Sequence, residues 1–515
     1  MSCLRWPAIL MVLSGPILWG AAANAAPPAV SDDERSVAAK IDERIEARCV
    51  EEQIPLAENA DDAEFLRRAF LDLVGTIPTA GETRDFLADT ATDKRERLIA
   101  TLLERPDHAT HLATLWREDL LATVENRELL PPDSVRLLDH WLRTRFLKND
   151  GYHALAAGLL TATGSLPTDR GAAVYLTAHR NATEPLPAMA AGTSRMFLGV
   201  QIDCAQCHDH PFASWSQKDF WNYAAVFAQI NTIASMDGGM LTTIEDGSAR
   251  PVMILDSEVA AEARLLGSDV NVADAPSRRA VLAEWLTAPE NPFFAKAAVN
   301  RLWAALFGYG LVHPIDDFGD HNPASHPEVL KLLADDFTTH GYDVRRTLRI
   351  LANTKAYQRT SHGDSAVDPR LFARKAVRPL TPRQLHASLR TAAGLLPAPE
   401  SDPEATQFVA RFDTATSRVE YQAGIPQALL LMNGEVVASL TDPQESRLIS
   451  AAAESPFFTD EERIETLFLA TLTRRPTDEE AKRCRAYLAE SANVREGLSD
   501  ILWALLNGSE FALNH

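Results

Sequence analysis

Residues 62–75 read DAEFLRRAFLDLVG. Asp62 opens the run, apolar residues recur at intervals of three and four, and Gly75 and Pro78 close it. That pattern predicts an amphipathic helix. The same rule extends outward in both directions. SVAAKIDERIEARCV follows a capping box at Ser31–Glu34, and DKRERLIATLLERP and HLATLWREDLLATV come next. Pro131-Pro132 starts a helix that carries Trp141, and Ser216 is placed to cap SQKDFWNYAAVFAQI. FAKAAVNRLWAALFGYG, HPEVLKLLADDFTTHGYD and TPRQLHASLRTAAG continue the pattern. Thr459–Glu462 and Thr477–Glu480 head the last helices as capping boxes.

The expected fold class is therefore mostly α, as two helical modules. Residues 231–274 break the helical rule. MDGGM followed by TTIEDGSARPVMILD predicts a short connector with a small β-hairpin around Asp246-Gly247. The modules fall at about 38–230 and 275–515. No fixed-period repeat suggests a solenoid.

Length and composition fit a folded protein of more than one core. There are 515 residues, 46% hydrophobic and 23% charged. Arg5, an apolar run from Ile9 to Gly20 and Ala23-Asn24-Ala25 predict a cleaved secretory signal over residues 1–25. The run is short for a bilayer and contains Pro16, so no integral membrane segment is expected after cleavage. The expected location is the periplasm or the extracellular space. Loss of Arg5 takes the net charge from −21 to −22, which opposes binding to nucleic acid or to an anionic membrane surface.

The chemistry concentrates in residues 197–211, FLGVQIDCAQCHDHP. Cys204, Cys207 and His208 form C-x-x-C-H, which supplies two thioether anchors and an iron ligand for haem c. Three readings compete with it. Zinc would use Cys204, Cys207 and His210 at C-x-x-C-x-x-H spacing, with a fourth ligand from elsewhere. A thioredoxin-type CxxC needs a βαβ setting that these helical flanks do not offer. A local structural disulfide is the plainest alternative. His208 and His210 are too close in sequence to bind opposite faces of one iron, so under haem His210 needs another role, whereas under zinc it is a ligand.

A distal ligand would come from further away. Met196 sits in an apolar run, and His179 is read as lying in a polar loop. His313, His321 and His326 cluster with Asp316, Asp317 and Asp320 in LVHPIDDFGDHNPASHPE. His326 is the candidate metal ligand of that set, at the distal position, and an open distal site is the alternative. Against this, Ser325–Glu328 reads as a capping box with Pro327 in the first turn. Cys49 and Cys484 are either a disulfide pair or two buried free thiols. G-x-S-x-G, H-E-x-x-H, P-loop and dinucleotide motifs are absent.

FLGVQIDCAQCHDHPFASWSQKDFW resembles the signature of a planctomycete cytochrome-type domain of unknown function. DDAEFLRRAFLDLVGTIPT and DKRERLIATLLERP resemble its opening helices. The stretch from SRRAVLAEWLTAPENP through HPEVLKLLADDF resembles the planctomycete-specific C-terminal domain that usually follows it. IPQALLLMNG, ERIETLFLATLTRRPTDEE and DILWALLNGSEFALNH are similar to that domain too. The family's cytochrome label attaches to Cys204, Cys207 and His208. His210, Asn300, Arg301, Trp303 and His326 fall on positions that recur in its motifs. Relatives often carry a further cytochrome c domain or an inserted sugar-binding-like domain, neither of which is seen here. The resemblance implies an exported component of a cell-envelope system, associated with polysaccharide breakdown.

The leading expectation is an exported c-type haem protein with an electron-transfer or redox-partner role in the envelope. One alternative is a binding or scaffold protein with a zinc- or disulfide-stabilised loop. Another is a hydrolase acting through the aspartate–histidine loop.

Overall fold

Asp61 caps the helix Asp62–Val74 by accepting from the Glu64 N–H, and Gly75 ends it at φ 78°. The left-handed conformation there costs glycine little. In the computed structural model, residues 29–125, 130–180, 182–234, 242–363, 366–395, 402–411 and 434–515 are described. The expected signal, MDGGM and most of IPQALLLMNG lie outside them.

The chain is mostly helical, with two small two-stranded antiparallel sheets among the described residues. Capping boxes head Asp32–Glu51, Asp460–Thr471 and Asp478–Glu490. Ser216 and Asp219 form another at Gln217–Ala224. The cap expected at Ser325 is absent. His326 is the N-cap residue of Pro327–Thr339 and makes no side-chain cap bond, while Pro327 sits in the first turn. Glu328 pairs with Arg44 instead of reaching back to Ser325.

The hairpin is also placed differently. Ile230–Ala234 pairs with Thr242–Asp246, in the register Ile230↔Asp246 and Ala234↔Thr242. Asp246-Gly247 is therefore the far end of the hairpin and not its turn. Arg279 and Ser277 both bond the Asp246 carboxylate, tying that end to the helix Arg278–Thr287.

Apolar packing gathers into two cores. One collects buried residues from Val37 to Ala373, and so draws on both sides of the connector. The other collects Leu71, Ile77 and residues from Leu380 to Phe511. Asp62–Val74 serves both, with Phe65, Phe70 and Leu73 in the first core and Leu71 in the second.

This helix lacks the solvated face that its charges suggest. Arg67 and Arg68 are completely buried. Arg67 donates to the carbonyls of Thr471 at 2.9 Å and Phe511 at 2.7 Å. Arg68 donates to the carbonyls of Tyr357 and Arg359 and pairs with Glu64 at 2.6 Å. Asp72 accepts from Tyr357 Oη at 2.9 Å and Asn514 Nδ2 at 2.7 Å, and pairs with Lys375 and Arg378. Burial opposes the charge on Asp72. Arg378, Lys375 and the Tyr357 hydroxyl outweigh it and hold the carboxyl below its ordinary value.

Cys49 and Cys484 are free thiols and belong to different cores. Cys49 bonds the Leu371 carbonyl at 3.5 Å. Among the described residues, no helix is long and apolar enough to cross a membrane.

Candidate functional site

Phe197 and Leu198 of FLGVQI are the end of a helix, and the rest of the stretch lies beyond it. Pro185–Thr193 runs on into a π-helical turn at Ser194–Leu198, and Gly199 terminates it at φ 68°. Asp203–Gln206 then forms a 3₁₀ turn. Both its cysteines, Cys204 and Cys207, are exposed free thiols.

The following helix, Gln217–Ala224, fixes this turn from behind. Trp221 Nε1 donates to the Gln206 carbonyl at 2.9 Å, and Gln217 Nε2 to the Cys207 carbonyl at 3.1 Å. Asp209 accepts from the Gln217 N–H at 2.8 Å, and the His210 N–H donates to the Trp215 carbonyl at 2.8 Å. The Gln206 and Cys207 carbonyls and the His210 N–H are thus taken up by the protein, while both cysteines remain exposed.

The two histidines are held in opposite tautomers. His208 Nδ1 lies 2.8 Å from the Asp209 carbonyl. A carbonyl only accepts, so Nδ1 carries the hydrogen and Nε2 keeps its lone pair. His210 Nδ1 accepts the N–H groups of Phe212 at 3.2 Å and Ala213 at 2.9 Å. The hydrogen of that ring is therefore on Nε2, which makes it a donor. Of the two, His208 presents a nitrogen suited to a metal.

The aspartate–histidine loop lies against this turn. Asn300, fully buried, fixes the loop's start by donating to the carbonyls of Val312 and Ile315 and accepting the Val312 N–H at 3.0 Å. The Phe318 N–H donates to the Gly199 carbonyl at 2.9 Å. A Cβ on Gly199 would come within 2.7 Å of the Phe318 ring. Arg195 spans the seam, pairing with Asp203 at 2.9 Å and Asp316 at 3.3 Å. Gln201 Nε2 donates to Asp316 at 2.9 Å. Burial would lower the Arg195 guanidinium, but Asp203 and Asp316 hold it above its ordinary value. His321 Nε2 bonds Asp317 at 2.9 Å, and its ring centre is 6.3 Å from that of His210.

The histidine this loop brings to the cysteine turn is therefore His321. His326 is buried, with Nδ1 on Ser325 Oγ and its ring 5.5 Å from Phe372. Burial pushes it down to about 4. As the residue entering a helix packed on Asp32–Glu51, it is drawn into the core. His179 lies in the helix Arg170–Arg180, and not in a polar loop. It is buried, with Nδ1 on the Tyr175 carbonyl and Nε2 on Thr123. Met196 is also a core residue.

A tetrahedral zinc ion needs ligand atoms about 3–4 Å apart. Among the described residues, the one group of three potential ligands converging within 4.8 Å is Asp33, Asp336 and His340. Arg346 already pairs with both aspartates of that group. Cys204, Cys207 and His210 do not converge in this way.

Sequence reasoning missed Arg195, Gln201, Gln217 and Trp221. Arg195 and Gln201 shortly precede the cysteines, and their polarity inside an apolar stretch was the available signal.

Fold and site together define a helical protein with an exposed C-x-x-C-H turn backed by a second polar loop. Residues 40–232 match the family PSCyt2, described as a protein of unknown function (DUF1549). Residues 278–420 match PSD1, described as a protein of unknown function (DUF1553). The chain carries one domain of each of these planctomycete-type families. The cysteine turn lies in the first, and Asn300 and the aspartate–histidine loop lie in the second. No curated protein and no solved structure matches the chain.

Proposed function

We propose that the protein is an exported c-type haem protein that transfers electrons to or from a partner in the cell envelope. Cys204 and Cys207 would be the thioether anchors and His208 the proximal ligand. Bound there, haem would supply one-electron chemistry. The observation that carries this reading is the tautomer of His208. Its Nδ1–H is fixed on a carbonyl and its Nε2 lone pair is left for iron, the arrangement that orients a metal-bound histidine. Both thiols are free and exposed. Phe212 lies uncovered two residues beyond His210, an apolar surface of the kind a macrocycle covers.

The test is expression of the full chain, leader included, in a cell that matures c-type cytochromes. A Soret band and the mass gain of one haem are expected, both abolished by Cys204→Ala. A colourless, haem-free product would end this reading. If it held stoichiometric zinc, the scaffold alternative would take its place.

The Asp317–His321 pair favours a second reading, acid–base chemistry on an envelope polysaccharide. A carboxylate fixing a histidine is the orienting half of a general base. Hydrolysis lost in Asp317→Asn, with colour and metal content unchanged, would support it. Equal hydrolysis by both proteins would remove it.

A further inference from the structure

The cysteine turn is held on two sides, and the two holds differ in origin. Behind it, Gln217 and Trp221 come from the same family domain. In front, the contacts of Arg195, Gly199 and Gln201 cross to the second family domain. Asp316 accepts from Gln201 and pairs with Arg195, Arg195 pairs with Asp203, and Asp203 directly precedes Cys204. The Phe318 N–H bonds the Gly199 carbonyl, and Phe318 packs where a Gly199 side chain would be. Arg301 adds to this by donating to the Arg195 carbonyl while pairing with Asp119 at 3.0 Å.

We infer that the 312–322 loop of the second domain is the positioning device of the cysteine turn, with Asp316 as its principal positioning residue. The site is therefore composite. The first domain supplies Cys204, Cys207 and His208, and the second sets the geometry in which they are presented. Two observations carry this beyond simple contact. Asn300 spends its whole buried amide on the start of that loop, so the loop's shape is specified from within its own domain. Arg195 is shared between one carboxylate from each domain, so movement of either loop removes a partner from the other. The inference rests on the cysteine turn being the functional site, whatever group it holds.

Hydrogen exchange on the haem-free full chain tests it. Ala205, His210, Phe212 and Ala213 have hydrogen-bonded N–H groups that report on the turn. Asp316→Ala should speed exchange across 203–213 about tenfold, the loss of a charge-assisted contact. Asp316→Asn retains the acceptor for Gln201 and should show a smaller effect. Exchange in the helix Phe294–Phe307 should not change. In maturation-competent cells, haem incorporation should fall in the same order.

Unchanged exchange at 203–213 in Asp316→Ala would overturn the inference. If that variant loses protection everywhere, Gln201→Ala, which removes one of the first domain's two contacts to Asp316 and leaves Arg195 in place, decides the matter by the same criterion. The two claims fail separately. A haem-free wild type removes the electron-transfer reading and leaves this one standing. A haem-loaded Asp316→Ala with an unperturbed turn does the reverse.

Discussion

His208 and His210 are two residues apart and differ in what their Nδ1 atoms meet. One faces the Asp209 carbonyl, the other two backbone N–H groups. A neutral imidazole ring has one hydrogen to place, so these contacts choose which nitrogen keeps a lone pair. If the turn holds haem as proposed, His208→Ala should shift or abolish the absorption bands that report iron ligation. His210→Ala should leave those bands in place and lose only local order, costing about 1 kcal/mol in denaturant unfolding. Bands that move in His210→Ala and stay in His208→Ala would reverse the assignment. The C-x-x-C-H spacing was legible in the sequence. The tautomers were not, because they depend on backbone groups that the turn brings round.

At the scale of elements, helix ends were the most legible feature. A cap is a local bond between a side chain and a backbone three residues on, so Ser31, Ser216, Thr459 and Thr477 could be read directly. Ser325 misled for a tertiary reason: its N–H goes to the Leu311 carbonyl, its hydroxyl meets His326 Nδ1, and Glu328 pairs with Arg44. The hairpin misled similarly. Asp-Gly is a strong turn signal, but Arg279 and Ser277 hold Asp246 at a strand end. Asn300 shows what a single buried amide does for an element. Asn300→Ala would leave the Val312 and Ile315 groups without their partner. It should cost about 2–3 kcal/mol of unfolding free energy and raise exchange in the 312–322 loop first. A change within about 0.5 kcal/mol would show that the loop holds its shape without it.

At the scale of the whole molecule, Asp72 joins the two cores. It gathers Tyr357, Lys375, Arg378 and Asn514 from far along the chain. Asp72→Ala leaves Lys375 buried without its carboxylate and should cost about 3–5 kcal/mol, seen as a lower denaturant midpoint. Separate transitions for the two cores would mark this cluster as their coupling. Acid sensitivity has a different source. Burial holds His108 and His179 down at about 4, against an ordinary 6.5. The unfolded chain therefore takes up protons below about 6.5, and the folded chain does not until about 4. Stability should fall as pH drops through that window, by up to about 1.4 kcal/mol per pH unit for each histidine. Thermal melts of haem-free protein between pH 7 and 4.5 measure it, and His179→Gln should flatten the slope.

The sequence alone determined the helical class, the helix ends and the presence of a cysteine–histidine motif. Each is encoded by residues within a few positions of one another, through periodicity, capping and spacing. Tertiary structure decided the rest. DAEFLRRAFLDLVG reads as amphipathic, yet Arg67, Arg68 and Asp72 are buried because distant carbonyls and cations satisfy them. His321 meets His210, while His326 turns into the core beside Phe372. A charge or a histidine carries no local mark of its eventual partner. The energy that places it comes from groups tens to hundreds of residues away, assembled only when the chain folds.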